Sequence, residues 1–174
     1  MHLPPAFAKD QDLINIVIET PQGSRNKYVW LPEEGGFRLK KILPAGTSFP
    51  LDFGFVPHTK GPDGDPLDAL VIMDSPGSVG VIVECRLIGV MEAEQWKRKD
   101  KAGKIRNDRL VAVAEASLDC ERLQSIDDLS PNLVDELIHF FEYYNSMAGK
   151  EFKFLKMAGS KAAMKMVKSH LEKP

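Results

Sequence analysis

The spacing of hydrophobic residues predicts strands in the first two thirds of the chain. Apolar residues occupy every second position from 14 to 18, a period of two that is typical of a half-buried strand. Short apolar runs occur at 28–31, 69–73 and 110–113, and a longer one at 79–91. Turn residues lie on both sides of the run at 69–73. Many short strands without strand–helix alternation favour an antiparallel or mixed barrel.

The last third of the chain has helical spacing. Ser130 is a candidate N-cap, Pro131 fits the first helical position, and Gly149 is a plausible helix stop. The apolar residues between these signals recur three or four positions apart, at Leu133, Leu137, Phe140, Phe141 and Tyr144. A second amphipathic helix is predicted from about residue 160. Strands first and helices last indicate the α+β class.

Length and composition limit the classes of protein that this chain can be. The 174 residues predict a single domain, 1–174, since domains average roughly 150 residues. A formal net charge of -2 argues against a nucleic-acid partner bound by bulk positive charge. Cys85 and Cys120 are too few and too distant in sequence for a disulfide framework. No apolar stretch is long enough for a membrane span and no signal peptide is evident, so we expect a cytoplasmic protein.

An acidic loop, G-P-D-G-D-P-L-D at 61–68, carries the clearest chemical signal. Asp63, Asp65 and Asp68 lie within six residues of one another, and their mutual repulsion costs stability unless a cation neutralises it. Carboxylate oxygens favour Mg²⁺ or Ca²⁺ over zinc. The missing glycine at loop position six and the missing glutamate at position twelve argue against an EF-hand. The loop therefore predicts a carboxylate site for divalent cations.

A basic segment, K-R-K-D-K-A-G-K-I-R-N-D-R at 97–109, contrasts with this loop. Charge runs of this kind are usually solvated hairpin loops. The alternative is a loop that attracts an anionic substrate or an acidic partner.

At the acidic loop the sequence resembles the family I soluble inorganic pyrophosphatases, whose signature D-G-D-P-x-D precedes an apolar strand. This chain has D-G-D-P-L-D-A-L-V-I at that point. The segments I-V-I-E-T-P, F-G-F-V-P-H-T, C-R-L-I-G-V, L-V-A-V and I-H-F-F-E-Y-Y match as well. The resemblance implies an OB-like, five-stranded closed barrel with two C-terminal helices. It also implies Mg²⁺-dependent hydrolysis of pyrophosphate to two phosphates, several metal ions per site (Mn²⁺ or another divalent metal being possible), and a homo-hexamer.

The resemblance assigns roles to individual residues. Asp65 matches the general base that activates water, and Lys27, Lys41, Arg109 and Tyr144 match substrate-binding positions. The metal ligands implied by the match are Glu19, Asp63, Asp65, Asp68, Asp100 and Asp108. For the last of these, alignment on L-V-A-V points to Asn107, whereas a shift of one residue supplies Asp108. Asp108 is preferred because a neutral amide would weaken a site that collects metal charge.

Several positions depart from the family pattern around the phosphate. Lys41 replaces an arginine and loses its bidentate geometry. Aromatic hydroxyls are missing at Phe49 and Phe53, a glutamate is replaced by Val29, and a lysine by Asn145. Three functions therefore stay open: pyrophosphate hydrolysis, hydrolysis of another phosphoanhydride, and non-catalytic polyanion binding on an OB-like barrel.

Overall fold

The structure, a computed structural model, describes residues 2–172, with only the backbone described at 101 and 102. Nine strands and two helices follow one another along the chain. They are β1 Leu13–Thr20, β2 Asn26–Leu31, β3 Gly36–Ile42, β4 Asp52–Phe55, β5 Asp68–Ile72, β6 Ile82–Lys97, β7 Asp100–Arg106, β8 Arg109–Ala114, α1 Pro131–Ser146, β9 Lys150–Gly159 and α2 Ser160–Ser169. A short 3₁₀ helix, Ile126–Asp128, precedes α1.

Five of these strands close into a ring. β1 pairs with β4, β4 with β5, β5 with β8, β8 with β6, and β6 returns to β1. The pairings are antiparallel except for β5 and β8, which run parallel. This ring, with two helices beside it, confirms the predicted α+β class and the OB-like arrangement of five strands.

Strand β6 is long enough to serve both the ring and an extension beyond it. Its register with β8 shifts between Leu87 and Gly89, which indicates a bulge where the strand bends. A Cβ on Gly89 would lie 2.5 Å from the carbonyl oxygen of Ala158, so this position requires glycine. Beyond the bulge, β6 is flanked by β7 on one side and β9 on the other.

Alternate residues of the ring strands supply two hydrophobic clusters. On β5, Ala69 and Val71 belong to one cluster, whereas Leu70 belongs to the other. The first cluster also contains Ala163 and Val167 of α2. The second contains the aromatic face of α1, formed by Leu137, Phe140 and Phe141. Each helix therefore covers a different hydrophobic face of the sheet.

The predicted start of α1 is confirmed, but the region after it differs from the prediction. The Ser130 hydroxyl accepts a hydrogen bond from the backbone N–H of Leu133, as expected of an N-cap. No strand was predicted between the two helices, but β9 lies there and pairs with β6 from Gly89 to Lys97. β3 and β4 were also not predicted. The basic segment forms the β6–β7 hairpin, with strands in place of an irregular loop.

Neither helix within residues 2–172 has both the length and the apolar character needed to cross a membrane.

The ring makes Gly54 a sensitive position. A Cβ there would lie 2.2 Å from the carbonyl oxygen of Val17, a backbone atom of the neighbouring strand. Gly54→Ala is therefore expected to lower the free energy of unfolding by at least ~1–3 kcal/mol, as overpacking does, measured by urea denaturation.

Gly36→Ala is the matched control, because its nearest neighbour would be 3.9 Å away. It should change the free energy of unfolding by less than about 0.5 kcal/mol. Equal stability of the two variants would contradict the close approach of β1 and β4 at Gly54.

Candidate active site

A cavity of about 420 Å³ opens at the end of the ring where β5 and β8 begin. The acidic loop forms one wall, and the aromatic side of α1 forms the opposite one. Among the side chains that line it, the charged ones are Glu19, Lys27, Lys40, Asp63, Asp65, Asp68, Arg109 and Lys150. Carboxylates and cations in equal number therefore share one concave site, which suits a ligand that carries both a cation and an anion.

The acidic loop is held in a tight turn by its own backbone. The N–H of Gly61 donates to the carbonyl of Asp65 at 2.7 Å, and Gly64 has a positive φ of 92°. At the base of the loop, the buried Thr59 hydroxyl donates to the carbonyl of Val56 and accepts from the N–H of Leu67. The turn leaves the side chains of Asp63 and Asp65 exposed at the cavity wall.

The parallel pairing of β5 and β8 places two opposite charges side by side. Ala69 pairs with Leu110, so the residues immediately before them, Asp68 and Arg109, meet at the same end of the ring. Burial raises the pKa of Asp68 from 3.8 to about 6, although the positive charges of Arg109 and Lys27 oppose this shift. Within residues 2–172, the Asp68 carboxylate accepts no hydrogen bond. A cation bound beside it would compensate its charge.

Arg109 is 3% exposed and is held by stacking more than by hydrogen bonds. Its guanidinium lies 3.9 Å from the ring centroid of Phe141, and its Nη1 donates to the carbonyl of Asn107 at 2.8 Å. Its Nε has no hydrogen-bond partner among the described residues. Burial lowers the pKa of Arg109, and the neighbouring Asp68 charge opposes that shift. A buried donor without a partner beside a cavity points to a bound anion.

Lys27 and Glu19 form a buried ion pair at the cavity. The Lys27 Nζ donates to Glu19 Oε2 at 2.8 Å and lies 4.1 Å from the ring centroid of Phe53. The other Glu19 oxygen accepts from the backbone N–H of Trp30 at 2.8 Å. Both Glu19 oxygens therefore accept hydrogen bonds, one from Lys27 and one from Trp30. The Glu19 carboxylate holds the Lys27 ammonium in position at the cavity.

Lys41 and Tyr144, the remaining predicted substrate residues, contact each other. The Lys41 Nζ lies 3.5 Å from the ring centroid of Tyr144, which itself lines the cavity. Burial and the charges of Lys40, Lys27 and Lys150 lower the pKa of Lys41. Burial and the Asp68 charge raise the pKa of Tyr144 to about 12, which keeps its hydroxyl protonated. The sequence analysis did not single out Lys40 and Lys150, because nothing in their local sequence marks them.

Asp100 and Asp108 do not line this cavity, although Asp108 lines an adjoining cavity together with Asp63 and Asp68. Asp100 is exposed near the tip of the β6–β7 hairpin, where its Oδ1 accepts from the N–H of Gly103. The Asp108 carboxylate accepts from the Arg106 guanidinium and from the N–H of Ala93 at 2.9 Å. The side chains that face the cavity from this stretch are amides, Gln95 and Asn107.

The donor chemistry of the site fits a divalent cation. Asp63, Asp65 and Asp68 offer hard oxygen donors, and Asp68 is poorly compensated. No three acidic, His or Cys side chains within residues 2–172 are already arranged to hold a metal ion. Mg²⁺ characteristically binds one or two carboxylates and completes its shell with waters and substrate phosphates, so a preformed protein cage is not required.

Fold and cavity together define a small barrel protein with a site for an anion and divalent cations. Comparisons with known proteins name the family. The family model described as inorganic pyrophosphatase matches residues 16–173. The inorganic pyrophosphatase of Thermus thermophilus is 34% identical over 168 residues, covering 95% of this chain and 92% of that one.

Further relatives agree. The Streptomyces coelicolor inorganic pyrophosphatase is 41% identical and covers 76% of this chain and 77% of its own. The crystal structure of the Thermus thermophilus enzyme superimposes with a TM-score of 0.86 at 33% identity, over 96% of this chain and 94% of that one. The chain belongs to the inorganic pyrophosphatase family, whose members use divalent metal ions.

The raised pKa of Asp68 gives a test of the site without catalysis. The ionised carboxylate opposes folding above its folded-state pKa of about 6, and this cost disappears below the ordinary value of 3.8. In metal-free protein, Asp68→Asn is expected to raise the free energy of unfolding at pH 8 by ~1–2 kcal/mol, since one pKa unit is worth ~1.4 kcal/mol.

The difference should vanish in denaturant titrations below pH 3.8. Asp119→Asn, at an exposed position outside the cavity, is the control and should have no such pH-dependent effect. A variant at Asp68 that is less stable than wild type at pH 8 would show that Arg109 already compensates the carboxylate.

Proposed function

We propose that the protein hydrolyses inorganic pyrophosphate to two phosphates with Mg²⁺ as the preferred ion, several ions per site, and Mn²⁺ as a substitute. The observation that supports this most strongly is the meeting of the acidic loop with the buried Arg109 and Lys27 at one cavity. Pyrophosphate complexed with divalent ions has the same combination of charges. Membership of the inorganic pyrophosphatase family supports the same substrate.

The cationic residues provide the phosphate subsite. Arg109 presents an unpartnered Nε from a fixed stacked position, so it binds a phosphoryl oxygen without reorganising. Lys27 is buried and held by Glu19, which fixes its ammonium in the cavity. The hydroxyl of Tyr144 stays protonated and can donate a hydrogen bond. Lys41, stacked on that ring, adds positive charge at the same end.

Asp65 is the proposed general base. Its carboxylate is exposed at the cavity wall and accepts no hydrogen bond within the described part of the chain, so it is free to take a proton from water. Divalent ions, when bound, lower the pKa of water and neutralise phosphate charge. Asp63, Asp65 and Asp68 are the proposed metal ligands on this loop. Glu19, Asp100 and Asp108 stay predictions as metal ligands, since Glu19 is paired with Lys27 and the other two do not line this cavity.

The charge pairing of the hairpin does not support the alternative of a polyanion-binding module. Arg98 pairs with Glu151, Lys104 with Glu94, and Arg106 with Glu92 and Asp108. These carboxylates neutralise much of the positive charge that a nucleic acid or polyphosphate would need. The cavity, and not the hairpin, is therefore the better candidate for anion binding.

Loss of the base gives the direct test of activity. Asp65→Asn is expected to reduce Mg²⁺-dependent phosphate release from pyrophosphate by about 10²-fold or more, because an amide cannot accept the proton. Asp127→Asn, at an exposed position outside the cavity, should leave the rate unchanged.

No turnover by the wild type with any divalent metal would overturn the proposed function. Equal rates for the wild type and Asp65→Asn would remove Asp65 from its role. Faster release from tripolyphosphate than from pyrophosphate would identify another phosphoanhydride as the substrate.

We also propose a cytoplasmic homo-hexamer of single-domain subunits spanning residues 1–174, which rests on the family resemblance. Sedimentation velocity of the purified protein tests the assembly. A species near six times the 19.4 kDa subunit mass is expected, whereas a monomer at micromolar concentration would contradict the proposal.

A further inference from the structure

Two neutral side chains line the cavity without a hydrogen-bond partner in the part of the chain that the structure describes. Gln95 on β6 is 6% exposed, and Asn107 lies between β7 and β8. Both line the cavity beside Arg109. Among the described residues, neither side-chain amide makes a hydrogen bond. A buried side-chain amide such as that of Gln95 is normally hydrogen-bonded, so these two amides at the cavity wall point to a ligand in the cavity.

The backbone fixes both amides firmly. Gln95 lies in the middle of a three-stranded layer, paired with Ile105 of β7 and Phe152 of β9. The N–H of Asn107 donates to the carbonyl of Ala93, and its own carbonyl accepts from Arg109. Asn107 and Arg109 are therefore parts of one rigid unit. Both residues line the same cavity, so an anion bound at Arg109 lies in the space that Asn107 also lines.

The distribution of charge in the cavity favours an anion, and not a cation, as the ligand of these amides. Its four carboxylates face four cations, and Glu19 is already paired with Lys27. The remaining three carboxylates all belong to the acidic loop. Of the described residues between β6 and β8, none presents a carboxylate to this cavity, and Asp108 is held by Arg106. Divalent ions are attracted by carboxylate charge, whereas an amide NH₂ donates to an anion.

We propose that Gln95 and Asn107 are specificity-determining residues that donate amide N–H groups to a phosphoryl oxygen of the substrate. Because they bring no negative charge, these two residues add no ligand that attracts a divalent ion, and metal binding in this cavity depends on the acidic loop. The inference rests on the proposed function, since it takes a phosphoanhydride as the ligand. Carboxylates at positions 95 and 107 would bind a further cation, whereas the amides bind the substrate.

The experiment compares Gln95→Glu and Asn107→Asp with the wild type. These substitutions preserve shape and add charge. Binding of Mn²⁺ to the metal-free protein, without substrate, is followed by electron paramagnetic resonance of the free ion. Each variant is expected to bind Mn²⁺ about tenfold more tightly or to bind an additional ion, because ligand charge sets affinity. Gln124→Glu, exposed and remote, is the matched control and should bind Mn²⁺ as the wild type does.

A second measurement distinguishes hydrogen bonding of the amides to an anion from the effect of the added negative charge. Binding of imidodiphosphate, a non-hydrolysable pyrophosphate analogue, is measured by calorimetry with metals chelated. Gln95→Met removes the donors without adding charge, and it should weaken imidodiphosphate binding by about tenfold, the value of a hydrogen bond to a charged group, while leaving Mn²⁺ affinity unchanged. Asn107→Ala should behave in the same way and does not disturb the middle of a strand.

Unchanged Mn²⁺ binding in both carboxylate variants would overturn the proposal, as would unchanged imidodiphosphate binding in Gln95→Met and Asn107→Ala. Neither result depends on turnover. If the wild type fails to hydrolyse pyrophosphate, the proposed function fails. If it hydrolyses pyrophosphate but the variants bind both ligands as the wild type does, only the role of the amides fails.

Discussion

The parallel pairing of β5 with β8 is the constraint on which the site depends. It brings the first residues of the two strands, Asp68 and Arg109, to one end of the ring. Each charge is costly to bury, and each opposes the pKa shift that burial imposes on the other. The compensation is incomplete, because the pKa of Asp68 stays raised and the Nε of Arg109 stays without a partner. The barrel therefore holds two charges that a metal–anion ligand would satisfy.

The remaining parts of the site hold this pair in place. The aromatic face of α1 supplies Phe141, on which Arg109 stacks, and Tyr144, on which Lys41 stacks. Glu19 holds Lys27 against Phe53. Phenyl rings at 49 and 53 thus support the lysine by cation–π contact, although they have no hydroxyl to offer the phosphate. The departures from the family pattern therefore change how the cations are held but do not remove them from the cavity.

Local sequence predicted the elements whose signal is local. The period of two at 14–18, the apolar run at 69–73 and the Ser130 cap correspond to β1, to β5 and to the start of α1. β9 was missed although Phe152 and Phe154 alternate with lysines, because the neighbouring helical spacing dominated the interpretation. The acidic loop was recognisable because its three carboxylates lie close together in sequence.

Side-chain directions in the hairpin were not predictable from the sequence. The register between β6 and β7 shifts between Gln95 and Lys97, and one residue of shift exchanges the two faces of a strand. That shift helps to determine which side chains face the cavity. Asp100 and Asp108 were predicted from motif spacing, whereas the side chains that line the cavity from this stretch are Gln95 and Asn107. Lys40 and Lys150 reach the cavity from distant strands, which only the tertiary fold reveals.

A crystal structure with Mn²⁺ and imidodiphosphate tests whether the acidic loop binds the metal while Arg109 and Lys27 bind the anion, because anomalous scattering locates the metal. We expect Mn²⁺ to be bound by Asp63, Asp65 and Asp68, and phosphoryl oxygens to be bound by Arg109 and Lys27. An acidic loop without Mn²⁺, or the anion bound along the β6–β7 hairpin, would contradict this arrangement.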